Sequence, residues 1–83
     1  MNKILVKVKA EKIEEEYDLL IPIGEPMGEI LDMIQKSINE LSGGYYIIDE
    51  NANLYDSVTC KIINKNNVVK FSGLKNGSKV MLY

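Results

Sequence analysis

Eighty-three residues carry a formal net charge of −2, with no histidine, no arginine and a single cysteine, Cys60. A chain of this length suits one domain, residues 1–83, with one modest core. The missing histidine removes the commonest general base and metal ligand, the missing arginine and acidic balance argue against nucleic-acid binding, and a lone cysteine allows no internal disulfide.

The chain opens Met1-Asn2-Lys3-Ile4 directly into an alternating stretch, with no h-region or cleavage site. No signal peptide is expected there. Apolar runs reach only three or four residues, too short to span a bilayer, so direct membrane insertion is not expected and cytoplasmic residence is. From Asn2 to Ala10, Ile4, Val6, Val8 and Ala10 share one face, while Lys3, Leu5, Lys7 and Lys9 share the other. From Glu15 to Ile23, Tyr17, Leu19, Ile21 and Ile23 alternate with Glu16, Asp18 and Leu20. Period two with one apolar and one charged face predicts a half-buried antiparallel pair. Both apolar sets must face the same side, so the numbers of paired residues sum to an odd value. A sum of 25 sets Lys9 opposite Glu16, Lys7 opposite Asp18 and Leu5 opposite Leu20. A sum of 23 sets Leu5 against Asp18, so 25 is preferred, with Glu11 to Glu14 as the connection.

Pro22 suits a strand end, and Pro26 the first position of a helix over about residues 26–41. There Met27, Ile30, Leu31, Ile34, Ile38 and Leu41 form a single apolar stripe. Glu25 and Glu29 lie toward the positive end of the helix dipole, Asp32 and Lys36 are spaced for an i,i+4 pair, and Ser42-Gly43-Gly44 ends the helix. Tyr45 to Ile48, aromatic and β-branched, reads as a third strand. Asp49 to Asn67 reads as turns around one short edge strand, and Val68 to Gly73 has no assigned structure. Leu74 is placed in the core before a tight reversal at Lys75-Asn76-Gly77. Ser78 to Tyr83 is the closing strand, with Val80 and Leu82 inward and Lys79, Met81 and Tyr83 outward.

A hairpin, then a helix, then further strands predicts an α+β β-grasp domain: a mixed four- to five-stranded sheet on one main helix. Its first and last strands are parallel neighbours at the centre. Leu5, Leu20, Met81 and Tyr83 then share the sheet face away from the helix and form a candidate protein-binding patch, against the plainer reading of scattered surface hydrophobics. An exposed edge on the last strand would let a second copy pair by strand addition. No catalytic, cofactor or metal residues are assigned. Cys60 has no histidine to activate it, and Glu14-Glu15-Glu16 alternate between faces and cannot converge on one ion. Gly43-Gly44 follows a helix rather than opening one, so it reads as a C-cap and not a phosphate loop.

Three segments, Tyr17-Asp18-Leu19-Leu20-Ile21-Pro22, Pro26-Met27-Gly28-Glu29-Ile30-Leu31 and Ser72 to Leu82, give the chain a resemblance to ubiquitin-like β-grasp proteins. More narrowly, it resembles the YukD/EsaB proteins of type VII (ESX-like) secretion loci in low-GC Gram-positive bacteria. The resemblance implies a non-enzymatic, cytoplasmic accessory or regulatory protein without cofactors. It also implies a protein partner, such as a membrane-bound secretion component, and no nucleic acid. Two alternatives stay open. One is a ubiquitin-like adaptor in an unrelated pathway. The other is a ubiquitin-like modifier or sulfur carrier, against which the mid-chain position of the only diglycine argues.

Overall fold

The computed structural model describes residues 2–83. Strands β1 (Lys3–Ala10) and β2 (Glu15–Pro22) precede the helix α1 (Met27–Leu41). The short strand β3 (Leu54–Asp56), a single 3₁₀ turn (Val69–Phe71) and strand β4 (Ser78–Leu82) follow. The sheet order is β2-β1-β4-β3, with β1 and β4 parallel at its centre and both outer pairings antiparallel. This is the expected β-grasp arrangement, with four strands.

The hairpin adopts the predicted register, with Lys3 opposite Pro22 and Lys9 opposite Glu16, so every pair sums to 25. Its connection closes through the Ile13 N–H, which donates to the Ala10 carbonyl at 3.2 Å, with Glu14 at φ +52° completing the reversal. Val6, Val8 and Ala10 from β1, Ile21 from β2, and Val80 and Leu82 from β4 are buried on one face. Met27, Ile30, Leu31, Ile34 and Ile38 of α1 are buried with them in one core. Leu74 packs half-buried at the margin of that core.

Both helix ends are satisfied, by different means. At the start, Pro26 is the N-cap rather than the first helical residue. The Met27 and Gly28 N–H groups donate to the carbonyls of Asn67 and Lys65, at 2.7 and 2.9 Å. A distant loop thus supplies acceptors that a side chain would otherwise provide. At the end, the Gly43 N–H donates to Glu40 and the Gly44 N–H to Asn39, at 3.0 and 2.8 Å. This is a Schellman closure, and the positive φ of both glycines, +66° and +87°, makes it accessible.

Four expectations need correction. Leu41, the last residue of the predicted stripe, is 61% exposed, because the helix ends there and the chain turns away. Gln35 takes a buried place on the helix instead. Tyr45 to Ile48 forms no strand. The ladder position beside β4 is filled by β3, and side chains of α1 and its cap, rather than a neighbouring strand, bond the main chain around Tyr46. Asp32 and Lys36 make no ion pair among the described residues. Finally, β4 has no exposed edge, since β1 and β3 occupy both sides; the long open edge belongs to β2.

Candidate protein-interaction surfaces

The sheet face opposite the helix follows directly from the register. Across one level, Leu20 and Leu5 stand side by side, 61% and 39% exposed. At the next level Asp18, Lys7 and Lys79 form a row, and beyond it Glu16, Lys9, Met81 and Tyr55 form another. An isolated bridge pairs Tyr55 with Ile62, extending that last row outward. Tyr83 packs edge-on against Tyr55, with ring centroids 6.2 Å apart and planes at 79°. The four anticipated patch residues therefore do share a face, but they fall at its two ends. Leu5 with Leu20 and Met81 with Tyr83 are separated by roughly 13 Å of strand; the row between them holds Asp18, Lys7 and Lys79, and Lys9 and Glu16 flank Met81 in its own row.

Charge on this face is only loosely paired. Lys7 Nζ lies 3.9 Å from Asp18 Oδ1, with both side chains substantially exposed. Lys9 stands opposite Glu16 but makes no ion pair among the described residues. Lys7 and Lys79 are direct neighbours in the parallel ladder, a like-charge juxtaposition that favours neither side chain.

A second surface lies beyond the end of α1. Tyr45, Ile47 and Ile48 are exposed, at 75%, 72% and 47%, whereas Tyr46 between them is 1% exposed. The clamp that holds them is polar and buried. Gln35 Oε1 accepts from the Tyr46 hydroxyl and from the Asp49 N–H, both at 2.8 Å, and Gln35 Nε2 donates to the Asp49 carbonyl at 3.0 Å. Asn39 Nδ2 donates to the Tyr46 carbonyl, and the Tyr46 N–H donates to Ser42 Oγ. Burial, reinforced by the nearby Asp49 charge, pushes the Tyr46 phenol above its ordinary value. The hydrogen bond from Lys12, at 2.8 Å, and the Asn51 N–H hold the Asp49 carboxyl below its own. The hollow beside this segment, about 600 Å³, is lined by Lys12, Ile13 and residues 45–51.

Among the described residues no group of three or more histidine, cysteine, aspartate or glutamate side chains is placed to hold a metal ion. Every buried side-chain polar atom there has a hydrogen-bond partner. Cys60 is exposed, in a turn at φ +59°. Glu29 is held above the usual carboxylate range by its hydrogen bond with Glu25 and by repulsion from Glu25 and Asp32, so the first-turn acids interact with each other as well as with the dipole.

Sequence reasoning missed Tyr55 and Ile62, the residues that complete the apolar end of the outer face. The alternation of β3 is only three residues long, and the bridge to Ile62 is a single pair, so period two gave no signal. It also missed the exposed trio at 45, 47 and 48, because a β-branched aromatic run reads as a buried strand.

No protein-family model matches this chain, and no curated protein matches it. Solved structures do. A structure described as molecular mimicry of SUMO promoting DNA repair is similar over 100% of this chain and 92% of its own, with a TM-score of 0.76 at 16% identity. The ubiquitin-like domain of the Mycobacterium tuberculosis type VII secretion system protein EccD1 is similar over 99% and 98%, with a TM-score of 0.75 at 15% identity. A chain of the ESX-5 inner membrane complex is similar over all of this chain and 21% of its own, with a TM-score of 0.73 at 13% identity. The fold is thus ubiquitin-like: an α+β domain with a four-stranded mixed sheet and one main helix. Among the described residues no helix is long and apolar enough to cross a membrane.

Proposed function

We propose that this chain is a non-enzymatic ubiquitin-like interaction domain serving a type VII (ESX-like) secretion system as a cytoplasmic accessory or regulatory component. It docks through the outer face of its sheet onto a protein partner, a membrane-bound component of that system. The observation that carries the interaction reading is the exposed outer face itself, with Leu5 and Leu20 at one end and Tyr55, Met81 and Tyr83 at the other. The pathway is supported by the end-to-end likeness to the EccD1 domain, by a similar domain within the ESX-5 inner membrane complex, and by the sequence resemblance at residues 17–31 and 72–82.

Cross-linking and co-purification from a host that runs such a system test both parts. The expected result is recovery of a secretion component with the wild-type chain and its loss with a folded Leu5→Glu/Tyr83→Glu variant. Repeated recovery without any secretion component overturns the pathway, and undiminished binding by the variant removes the outer face. The likeness to a SUMO mimic, equal in quality, favours an adaptor in another pathway as the second reading. Gly43-Gly44 itself cannot act as the reactive tail of a modifier or carrier, because both glycines are engaged in closing α1.

A further inference from the structure

We infer that the open edge of β2 is a second docking site, which takes an extended segment of a partner protein whose residues alternate between basic and apolar.

The direction of the main-chain groups follows from bonds on either side of β1. The Leu5 N–H donates to Asn76 Oδ1 and its carbonyl accepts from the Gly77 N–H, both at 2.7 Å, so the odd residues of β1 turn toward β4. The even residues turn toward β2, as does Asn2, whose carbonyl accepts from the Ile23 N–H at 2.9 Å. In the observed register those even residues meet Glu15, Tyr17, Leu19 and Ile21. The N–H and C=O groups of Glu16, Asp18 and Leu20 therefore point out of the sheet. Among the described residues they bond to no other segment. The opposite edge is not equivalent: β3 has three residues, and its outer side is engaged by the Ile63 N–H on the Leu54 carbonyl and the Asp56 N–H on the Lys61 carbonyl.

Side chains around the open edge define what fits it. Glu16 and Asp18 project on the outer face beside those main-chain groups, with Glu14 and Glu15 continuing the acidic run, and all four are exposed. Of these four, only Asp18 has a basic neighbour within ion-pair distance among the described residues, Lys7 at 3.9 Å. On the helix side Tyr17 and Leu19 are half-buried and pack against the core, leaving an apolar shoulder at its margin. An added strand places alternate residues on opposite faces. Lysine or arginine would then meet Glu16 and Asp18, while apolar residues would cover Tyr17 and Leu19. Pairing of β2 with the β2 of a second copy is disfavoured by the same charge, since it would bring two acidic strands together at strand spacing.

This inference rests on the reading of the chain as a protein-interaction domain; it concerns the main-chain edge of β2, which borders the outer face at Glu16, Asp18 and Leu20, and the N-methylated peptide and the Tyr83→Glu variant separate its failure from that of the outer-face reading. The probe is a capped heptapeptide alternating lysine and valine, titrated into the full chain labelled for NMR. A glutamate–valine peptide of the same length is the control. Expected are saturable shifts and slowed amide exchange at Glu16, Asp18 and Leu20, and no saturation with the control. Glu16→Lys/Asp18→Lys weakens the lysine peptide at least tenfold and reverses the preference, whereas Tyr83→Glu leaves it unchanged. N-methylating the peptide amides that face the edge abolishes binding. Absence of binding, shifts centred on another surface, affinity indifferent to N-methylation, or protection of the same amides by self-association without peptide each overturn the proposal.

Discussion

At the residue scale the most consequential side chain is Gln35, 1% exposed and bonded to the Tyr46 hydroxyl and to both main-chain groups of Asp49. Replacing it with leucine roughly keeps the volume but removes the partner of the Tyr46 hydroxyl and of the Asp49 N–H and carbonyl. Each such loss costs about 1–3 kcal/mol, so Gln35→Leu is expected to lower unfolding free energy in urea by about 3 kcal/mol and to loosen residues 45–49. Tyr46 adds a pH dependence. Its phenol is held above its ordinary value, so between the unfolded and folded values the unfolded chain has lost a proton that the folded chain keeps. Stability is therefore intact below about pH 10 and declines as pH rises through the folded value. Tyr46→Phe removes that part of the alkaline decline, which chemical denaturation between pH 8 and pH 11 measures, roughly bracketing the tyrosine range. None of this was legible in the sequence. Gln35 sits beside Ile34 with no pattern of its own, and its partners lie 11 and 14 residues ahead.

Elements were far more legible than single polar residues, because burial by period is what sequence records directly. The β1–β2 register and the stripe of α1 both follow from which side chains must leave water. The stripe ends one turn earlier than its spacing suggests, and two substitutions separate the cases. Ile34→Ala, at a position 1% exposed, is expected to cost about 2–5 kcal/mol. Leu41→Ala, at 61% exposure, changes stability by no more than about 0.5 kcal/mol. The Schellman closure gives a third case. Nothing lies within 4 Å of a Cβ added at Gly44, but φ there is +87°. Gly44→Ala is therefore expected to cost about 1–2 kcal/mol through backbone strain alone, readable as a lowered midpoint in thermal unfolding. The segment at 45–48 illustrates the limit of period reasoning. Strand-like composition shows that a segment can pair; whether a partner edge is free depends on residues 54–56, which pair with β4 in its stead.

For the molecule as a whole, the outer sheet face carries a conflict that folding alone would not select. Lys7 and Lys79 stand side by side in the central parallel ladder, and among the described residues the one acid within ion-pair distance of either is Asp18, 3.9 Å from Lys7. Like charges directly opposite are destabilising, and matched pairs contribute roughly 0.2–1 kcal/mol. Lys79→Glu is therefore expected to stabilise the isolated domain by about 0.5 kcal/mol at low ionic strength. Near 1 M salt, where the screening length falls to roughly 3 Å, most of that gain should vanish. The same substitution puts a carboxylate at the centre of the face proposed to dock. If that face meets a partner with an acidic middle, Lys79→Glu should weaken the complex while strengthening the free domain, which is the trade-off expected where a surface is held for binding. Denaturation of the free chain and affinity for the cross-linked partner, measured on one variant across a salt series, distinguish the outcomes. Opposite signs that both shrink with salt support a docking face kept positive at some expense to stability. A gain in stability with unchanged affinity would leave the lysine pair without a functional reason and move the binding surface elsewhere on the domain.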